Sequence, residues 1–451
     1  MENQIYYVTE IYHTLCEHPL RSPLTIEVPG SKSITNRSLL LATLAEGTSR
    51  LENVLFSDDS RHFLKCIQDL GFETTVDEPG RVITVTGCGG NVPLKEARQY
   101  VGSAGTAARF LTAYLGVSHG TYDMDASEQM RKRPMAPLLS SLQELGCRIT
   151  YRGVEGFFPF VLQSNGFAKH EITIDIGHSS QFLSALLIAS CLSAEDFTIH
   201  VKGTHGMSYI HMTCRMMEQF GVKAEHIPGS GETKDSFLTR SGQTYQSRDY
   251  LVEPDVSAAC YFYACVPLLH IPVLVRHVHP HSLQGDMAFL QILVQMGCTM
   301  EDTPDGILLS PPASPAYHGV TVDMSACSDQ AITLAAIAPF ADSPTTITGI
   351  GHIRFQESDR IHAIVTELSK MKIRCEETQD SITIYPGTPA PSFVDTYDDH
   401  RMAMGFSLIG LRAPGIAIKD PGCCRKTFEN YFEVLDRMLE TIQENKDVIK
   451  S

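Results

Sequence analysis

The sequence has no C-x-x-C pair among its 13 cysteines. That absence argues against a zinc site. An odd, scattered set also argues against a disulfide framework, so reduced thiols in a cytosol fit better. No purely apolar run approaches the roughly 20 residues of a membrane span. The opening MENQIYYVTEIYHT lacks a basic region followed by an apolar stretch, so no secretory leader is expected. Cations are the minority: 36 Lys and Arg against 52 Asp and Glu give a net charge of −16. A nucleic-acid partner is therefore not expected. Tryptophan is absent too, without functional consequence. What is present is a chain of 451 residues, 43% hydrophobic, long enough for a large core and two or more domains.

One pattern recurs along it. A helical stretch ends in an apolar residue and Gly, then come a strand, a turn and another strand. The copies are LGFETTV…RVITVTG, LGCRITY…FPFVLQ, FGVKAEH, MGCTMED…ILLSP and MKIRCEE…SITIYPG. The Gly, replaced by Lys in the last copy, falls at 71, 146, 221, 297 and 372, a period of about 75 residues. Before each such helix stands another, more apolar all round. These earlier helices start near Ser33, Gly105, Ser180, Asp255, Asp329 and Asp399, and the later ones near Asp58, Pro134, Ser208, Ser282, Glu357 and Lys426. Helices apolar on every face must be buried. Six of them, each group of three wrapped by amphipathic helices and strands, predict two similar α/β domains. The sixth copy lacks closing strands, and two candidates, IYYVTEIYHTL and PLTIEVP, stand at the other terminus and are expected to complete it. The expected domains are 1–29 with 252–451, closed by both termini, and 30–251, with crossings near 29–30 and 251–255.

The helix starts carry the chemistry. In VPGSKSITNRS, Ser33 and Arg37 lie four apart on one helical face behind Lys32. A helix N-terminus offers free N–H groups and a dipole that favours anions, so phosphate is one reading and a capped helix with solvated cations the other. A Walker loop is excluded, because Thr25 stands where its first Gly is required and Ser31 separates Gly30 from Lys32. VGSAGTAARF brings two glycines and Arg109, and is equally readable as a packing turn. In SEQMRKRPMAPL, cations precede a Pro-started helix where acids are usual, which points to an anionic ligand; a surface charge run is the alternative for Arg131 and Lys132. GHSSQFLSALL, CSDQAITLAAIA, FQESDRIHAI, TYDDHRMAMGFSL and DPGCCRKTF repeat the theme, with capping or helix ion pairs as the plain readings. If the two domains face each other these clusters converge, and cations gathered in an acidic protein favour small anions bearing phosphate and carboxylate groups. A glutamate and an aspartate among them can serve as acid and base. HVHPH aligns His277, His279 and His281 at strand spacing, but no acidic residue stands in that stretch and no metal is expected.

Taken together, PGSKSITNR, GSAGTAAR, KRPM, SSQFLSALL, SLQGD, QESDRI, DDHRMAM and DPGCCRKTF, in this order from about residue 24 to 436, make the chain resemble the 5-enolpyruvylshikimate-3-phosphate synthase family of enolpyruvyl transferases. The resemblance implies an α/β fold of two similar domains, each of three βαβαββ units around buried parallel helices. It implies transfer of the enolpyruvyl group of phosphoenolpyruvate to the 5-hydroxyl of shikimate-3-phosphate, with release of phosphate. The reaction passes through a tetrahedral adduct with C–O cleavage, without a covalent enzyme intermediate, cofactor or metal. That is a step of the shikimate pathway to chorismate and the aromatic amino acids, and the target of glyphosate. Carried over by motif, Lys32, Ser33, Arg37, Ser179, Ser180, Gln181, Asp329 and Gln356 are implied to contact shikimate-3-phosphate. Lys32, Gly105, Arg133, Gln181, Arg360, Arg401 and Lys426 are implied to surround phosphoenolpyruvate. Asp329 would take the hydroxyl proton and Glu357 would protonate the methylene, with Lys32 beside them. A cytoplasmic monomer acting on small anions, with no nucleic-acid or membrane partner, is expected.

Three positions depart from the family pattern. Gln356 stands where Lys is usual, which raises the alternative of an impaired or non-catalytic paralogue that binds phosphorylated metabolites. Gly206 or Ser208 stands where a phosphate-contacting Ser is usual. Phe110 follows Arg109 in place of Pro or Leu, while Gly105 is kept, so glyphosate binding is expected. The related UDP-N-acetylglucosamine enolpyruvyl transferases carry a Cys before their RP segment, and SEQMRKRP has none.

Overall fold

The computed structural model describes residues 4–20, 22–177, 179–204, 206–229 and 235–450, the last five of these by backbone alone. The first three residues of the opening stretch thus lie outside the described ones. Contacts divide the chain into two lobes, Gly30–Glu253 and Met1–Pro29 with Pro254–Ser451. At the two crossings Ser31 N–H donates to Glu253 O within the first lobe, and Asp255 N–H to Pro29 O within the second, both at 2.8 Å.

The lobe Gly30–Glu253 holds three four-stranded sheets of one design. Strand Glu96–Tyr100 pairs in parallel with His119–Asp125, and helix Gly105–Val117 makes the crossover. Helix Ala136–Glu144 follows, and the hairpin Arg148–Tyr151 and Phe160–Asn165 adds to the other side of His119–Asp125. Glu171–Asp175, helix Gln181–Ser190, Phe197–Lys202, helix Met207–Gln219 and the strands Ala224–Pro228 and Asp235–Thr239 repeat this. In the third copy helix Lys32–Leu44 leads into Glu46–Glu52, and helix Asp58–Asp69 precedes the hairpin Glu73–Asp77 and Val82–Cys88. Its first strand, Asp249–Leu251, arrives from the far end of the lobe.

The other lobe has two four-stranded sheets and one of three strands. The sheet after helix Val256–Leu269 lacks a preceding strand of its own, because Asp249–Leu251 is already paired with Glu46–Glu52. Leu24–Ile26 fills that place, in parallel register with Val273–Val275. Of the two N-terminal stretches expected to complete the last repeat, therefore, only one does: Ile5–Tyr7 pairs antiparallel with Ala417–Lys419. Tyr12–Glu17 between them is helical.

The earlier helix of each repeat is buried as its composition requires. Every residue of Gly105–Val117 is buried, and every residue of Val256–Leu269 but Ser257. Each large aliphatic side chain so placed contributes roughly 1.5–3 kcal/mol relative to exposure. Gly105–Val117 packs against Lys32–Leu44 and Gln181–Ser190. In the other lobe Val256–Leu269, Ala331–Ile337 and His400–Arg412 all touch one another.

The periodic glycine also has a local cause. Gly71, Gly146, Gly221 and Gly297 all have φ between +90° and +110° and lie just past the ends of the later helices. Each N–H, and that of the residue after it, returns to a carbonyl of the last turn, as Gly71 N–H to Gln68 O and Phe72 N–H to Ile67 O. This left-handed cap satisfies carbonyls the helix leaves open, and glycine enters it without a Cβ penalty. Lys372, the exception, adopts φ +63° and makes the same bonds, to Ser369 O and, through Ile373, to Leu368 O.

Candidate functional site

In the lobe Gly30–Glu253, helix Lys32–Leu44 starts at Ser31 without a side-chain cap, which leaves its first N–H groups to other acceptors. Lys32 Nζ lies 3.7 Å from Asp59 Oδ2, at the start of the next helix. Arg37, one turn in, is 1% exposed. Its Nε donates to Thr213 Oγ1 at 2.8 Å, Nη1 to Ser33 O at 3.0 Å and Nη2 to Tyr209 O at 3.4 Å. Its guanidinium stands 5.2 Å from the ring centre of Phe110, so that residue packs under a cation. Burial pushes the Arg37 pKa down to about 10; it stays protonated at neutral pH.

A second group centres on Gly105. A Cβ there would lie 3.0 Å from Arg109 Nη1, 3.0 Å from Arg133 Nη1 and 3.3 Å from Gln181 Oε1. Three polar ends thus meet at one helix start, and only the bare α-carbon lets them approach. Arg109 is anchored by Gly105 O at 3.2 Å and Pro134 O at 3.3 Å, over Phe182. Gln181 Oε1 is buried and takes no hydrogen bond among the described residues. Ser179 Oγ accepts from Gln181 N–H at 3.3 Å, and Ser180 is buried beside Gly206. Gly206 caps helix Met207–Gln219 at φ +65°, where a Cβ would meet Ser180 Oγ at 2.5 Å; Ser208 lies in the first turn. Arg131 is a surface partner of Asp125 at 2.7 Å, which bears out the surface-charge reading of that cation.

In the other lobe Arg360 is the hub. It is 1% exposed and donates through Nε to Asp399 Oδ2 at 2.8 Å, Nη1 to Asp329 Oδ1 at 3.0 Å and Nη2 to Glu357 Oε2 at 2.9 Å. Gln356 Oε1 accepts from Nη1 as well. Arg401 Nη2 reaches Asp329 Oδ2 at 2.7 Å, and Lys426 Nζ reaches Glu357 Oε1 at 2.9 Å. Burial alone would lower the Arg360 pKa, but Asp399, Glu357 and Asp329 outweigh it and raise the pKa above that of a free guanidinium. Asp329, Gln356, Glu357, Arg360, Arg401 and Lys426 therefore form one bonded network.

Sequence reasoning missed its other members. Asp399 caps helix His400–Arg412 through Arg401 N–H while holding Arg360, and Tyr261 OH accepts from Arg401 at 3.4 Å. His352 Nε2 and Ser328 Oγ, 2.8 Å apart, join the turn that carries Asp329 to the segment leading into Glu357. Only Asp399 gave a signal, as a cap residue. In the triplet at 277–281, His279 stacks on His281 with ring centres 5.5 Å apart and pairs with Asp302 at 2.8 Å; no group of three or more His, Cys, Asp or Glu suited to a metal occurs among the described residues. None of the described helices is long and apolar enough to cross a membrane.

Repeated βα units with cations held at helix starts define a two-lobed α/β protein suited to small anions. The comparisons make this specific. The family model described as EPSP synthase (3-phosphoshikimate 1-carboxyvinyltransferase) matches residues 19–435, and the chain belongs to that family. A protein named 3-phosphoshikimate 1-carboxyvinyltransferase from Nostoc punctiforme is 44% identical over 417 residues, 92% of this chain and 96% of that one. A relative in Halalkalibacterium halodurans, named 3-phosphoshikimate 1-carboxyvinyltransferase 2, is 38% identical over 92% of this chain and 91% of its own. The solved EPSP synthase of Acinetobacter baumannii has the same fold, with a TM-score of 0.76 over 97% of this chain and 98% of that one at 24% identity.

Proposed function

We propose that the chain transfers the enolpyruvyl group of phosphoenolpyruvate to the 5-hydroxyl of shikimate-3-phosphate, releasing phosphate and giving 5-enolpyruvylshikimate-3-phosphate. The observation that carries this reading, within the family, is the network in which Asp329 and Glu357 are each held by two cations. Arg360, Arg401 and Lys426 of one lobe, and Lys32, Gly105, Arg133 and Gln181 of the other, are the residues assigned to phosphoenolpyruvate. Ser33, Arg37, Ser179, Ser180 and Gln181, with Lys32, Asp329 and Gln356, hold shikimate-3-phosphate. Orientation of two anions and stabilisation of charge that develops between them are the main sources of rate.

In the addition step Asp329 takes the proton of the attacking hydroxyl, the oxygen bonds to the central carbon of phosphoenolpyruvate, and Glu357 gives a proton to the methylene. In the second step the C–O bond to phosphate breaks, Glu357, now a carboxylate, takes back a proton from the new methyl group to restore the double bond, and the proton held by Asp329 leaves with phosphate or to solvent. Glu357 must carry a proton for the first step, although two cations hold its oxygens. Substrate phosphate and carboxylate compete for those same cations, and this exchange lets Glu357 take up a proton.

The paralogue alternative is not favoured. Gln356 lacks the usual ammonium, yet its carbonyl orients Arg360. A monomer in the cytoplasm, with its 13 cysteines free, completes the reading. Steady-state phosphate release, measured with both substrates and with each omitted, tests the function. Release that needs both supports it; binding of shikimate-3-phosphate without release above background would overturn it.

A further inference from the structure

Asp286 ends the SLQGD stretch at 282–286, to which the reaction above gives no role. It stands at the N-cap position of helix Met287–Gln295, makes no side-chain cap bond to it, and is 4% exposed. Ser257 Oγ donates to its Oδ2, while Oδ1 is buried and takes no hydrogen bond among the described residues. The stretch cannot swing away to relieve this. Gln284 accepts from Val256 N–H at 3.0 Å and donates to Pro254 O at 2.7 Å, which ties the loop to the start of helix Val256–Leu269. A buried carboxyl with one oxygen unpaired is destabilising, and packing alone does not call for it.

Ser257, whose Oγ holds Asp286, also accepts at its carbonyl from Gln330 Nε2 at 3.5 Å, next to Asp329, and one turn along the same helix Tyr261 OH accepts from Arg401 at 3.4 Å. The titratable and charged groups around Asp286 are Asp255 and Cys260 from helix Val256–Leu269 and its cap, Cys327 and Asp329 from the turn at 327–330, and Arg401 from helix His400–Arg412. Burial, then the like charge of Asp329, push the Asp286 pKa up to about 6, against the pull of Arg401 and of the Ser257 hydrogen bond. Asp329 itself is clamped between Arg360 and Arg401, and two guanidinium groups weaken a carboxylate as a proton acceptor. Asp399 and Glu357 already oppose Arg360.

We propose that Asp286 is a positioning residue for the transfer reaction: held by Ser257 on the helix whose Tyr261 bonds Arg401, it offsets part of that guanidinium's charge and so keeps Asp329 a competent base. The proposal rests on Asp329 being that base.

The test is the pH dependence of phosphate release by the full chain with both substrates saturating. Asp286→Asn keeps an acceptor for Ser257 and removes the charge. Loss of a nearby like charge favours the carboxylate form of Asp329, so the acid limb of kcat moves to lower pH by about 1 unit. With a weaker base, kcat near neutral pH falls several-fold, and KM for each substrate changes by less than about twofold. A limb that stays in place in a folded Asp286→Asn overturns the proposal, because a merely structural loss would lower activity without moving it. Ser257→Ala withdraws the bond that favours the charged carboxyl, so it moves the limb in the same direction by less. It carries the test if Asp286→Asn does not fold, and an unmoved limb there also counts against the proposal. Asp329→Asn separates the two readings. If it retains turnover, Asp329 is not the base; if it abolishes turnover while Asp286→Asn leaves the limb unmoved, only the role of Asp286 falls.

Discussion

Adding one methyl group at Gly105 separates stability from substrate binding. Gly105 is the first residue of a fully buried helix, and alanine gains at most about 1 kcal/mol of helix preference over glycine. The new Cβ would stand 3.0 Å from Arg109 Nη1 and from Arg133 Nη1 and 3.3 Å from Gln181 Oε1. Those distances are tight, and the atoms are not equally able to yield. Arg109 is fixed by two carbonyls and a ring, so Arg133 and Gln181 must give way by a few tenths of an ångström. Strain and helix preference then nearly cancel, and the melting temperature changes by no more than about 3 °C. Loss of one charged hydrogen bond from Arg133 to phosphoenolpyruvate costs about 1.5–3 kcal/mol, or roughly 10- to 100-fold in kcat/KM for that substrate. Shikimate-3-phosphate alone, titrated calorimetrically, binds within about twofold of the unaltered protein, since the residues proposed to hold it lie mostly elsewhere. An unchanged KM for phosphoenolpyruvate refutes the reasoning. So does an equal loss of affinity for shikimate-3-phosphate, which would mean that the whole helix start had moved.

Three further predictions concern stability and binding. Lys372→Gly removes a side chain from an exposed left-handed cap at φ +63° and raises unfolding free energy by about 1 kcal/mol in a urea titration; no gain would contradict the account of the periodic glycine. Gly206→Ser places a Cβ 2.5 Å from Ser180 Oγ at φ +65° and lowers stability by about 1–3 kcal/mol, with weaker shikimate-3-phosphate binding in calorimetry. Tighter binding would assign the missing phosphate contact to position 206 after all. Asp286 binds its proton more tightly in the folded chain, with its pKa moved from 3.8 to about 6. Its contribution is therefore fully present below about 3.8 and lost as pH rises through about 6. Unfolding titrations of Asp286→Asn against the unaltered chain show a stability advantage of the variant that grows across this window, toward an order of 3 kcal/mol, and levels off above it. A pH-independent difference refutes the shift.

The parts of the fold that the sequence discloses are those with a local cause. The period of about 75 residues is visible because a left-handed cap favours glycine two residues past the end of four of the later helices, with Lys372 in the same place after a fifth. The buried helices are visible because their composition is apolar on all faces. The strand exchange at the termini is not visible. Ile5–Tyr7 and Leu24–Ile26 are three residues each, and so short a stretch carries no information about which sheet it joins. The site divides in the same way. Helix starts bearing Ser, Lys and Arg can be read directly, but the bonds from Arg360 to Asp399 and from Lys426 to Glu357 span 39 and 69 residues. Composition at either end names no partner at that distance. His352 gave even less, since it is one polar residue outside every motif, and Asp286 ends the SLQGD motif without a role of its own; both acquire significance only through burial.

The two lobes hold their buried guanidinium groups in opposite ways. Arg360 is bonded to three carboxylates, whereas the protein acceptors of Arg37 are a hydroxyl and two carbonyls. The pKa of Arg360 is raised and that of Arg37 lowered for this reason. A neutral lining leaves the positive charge of Arg37 to be balanced by a ligand, which suits a phosphate that is bound and released unchanged. A lining of carboxylates balances Arg360 beforehand, so an arriving anion must displace Asp329 or Glu357 from it. That displacement weakens anion binding, but it couples substrate arrival to a change in the environment of both groups proposed to move protons. On this argument the acidic composition of the chain is compatible with anionic substrates, because the carboxylates proposed to act on the substrates also compete with them for the cations.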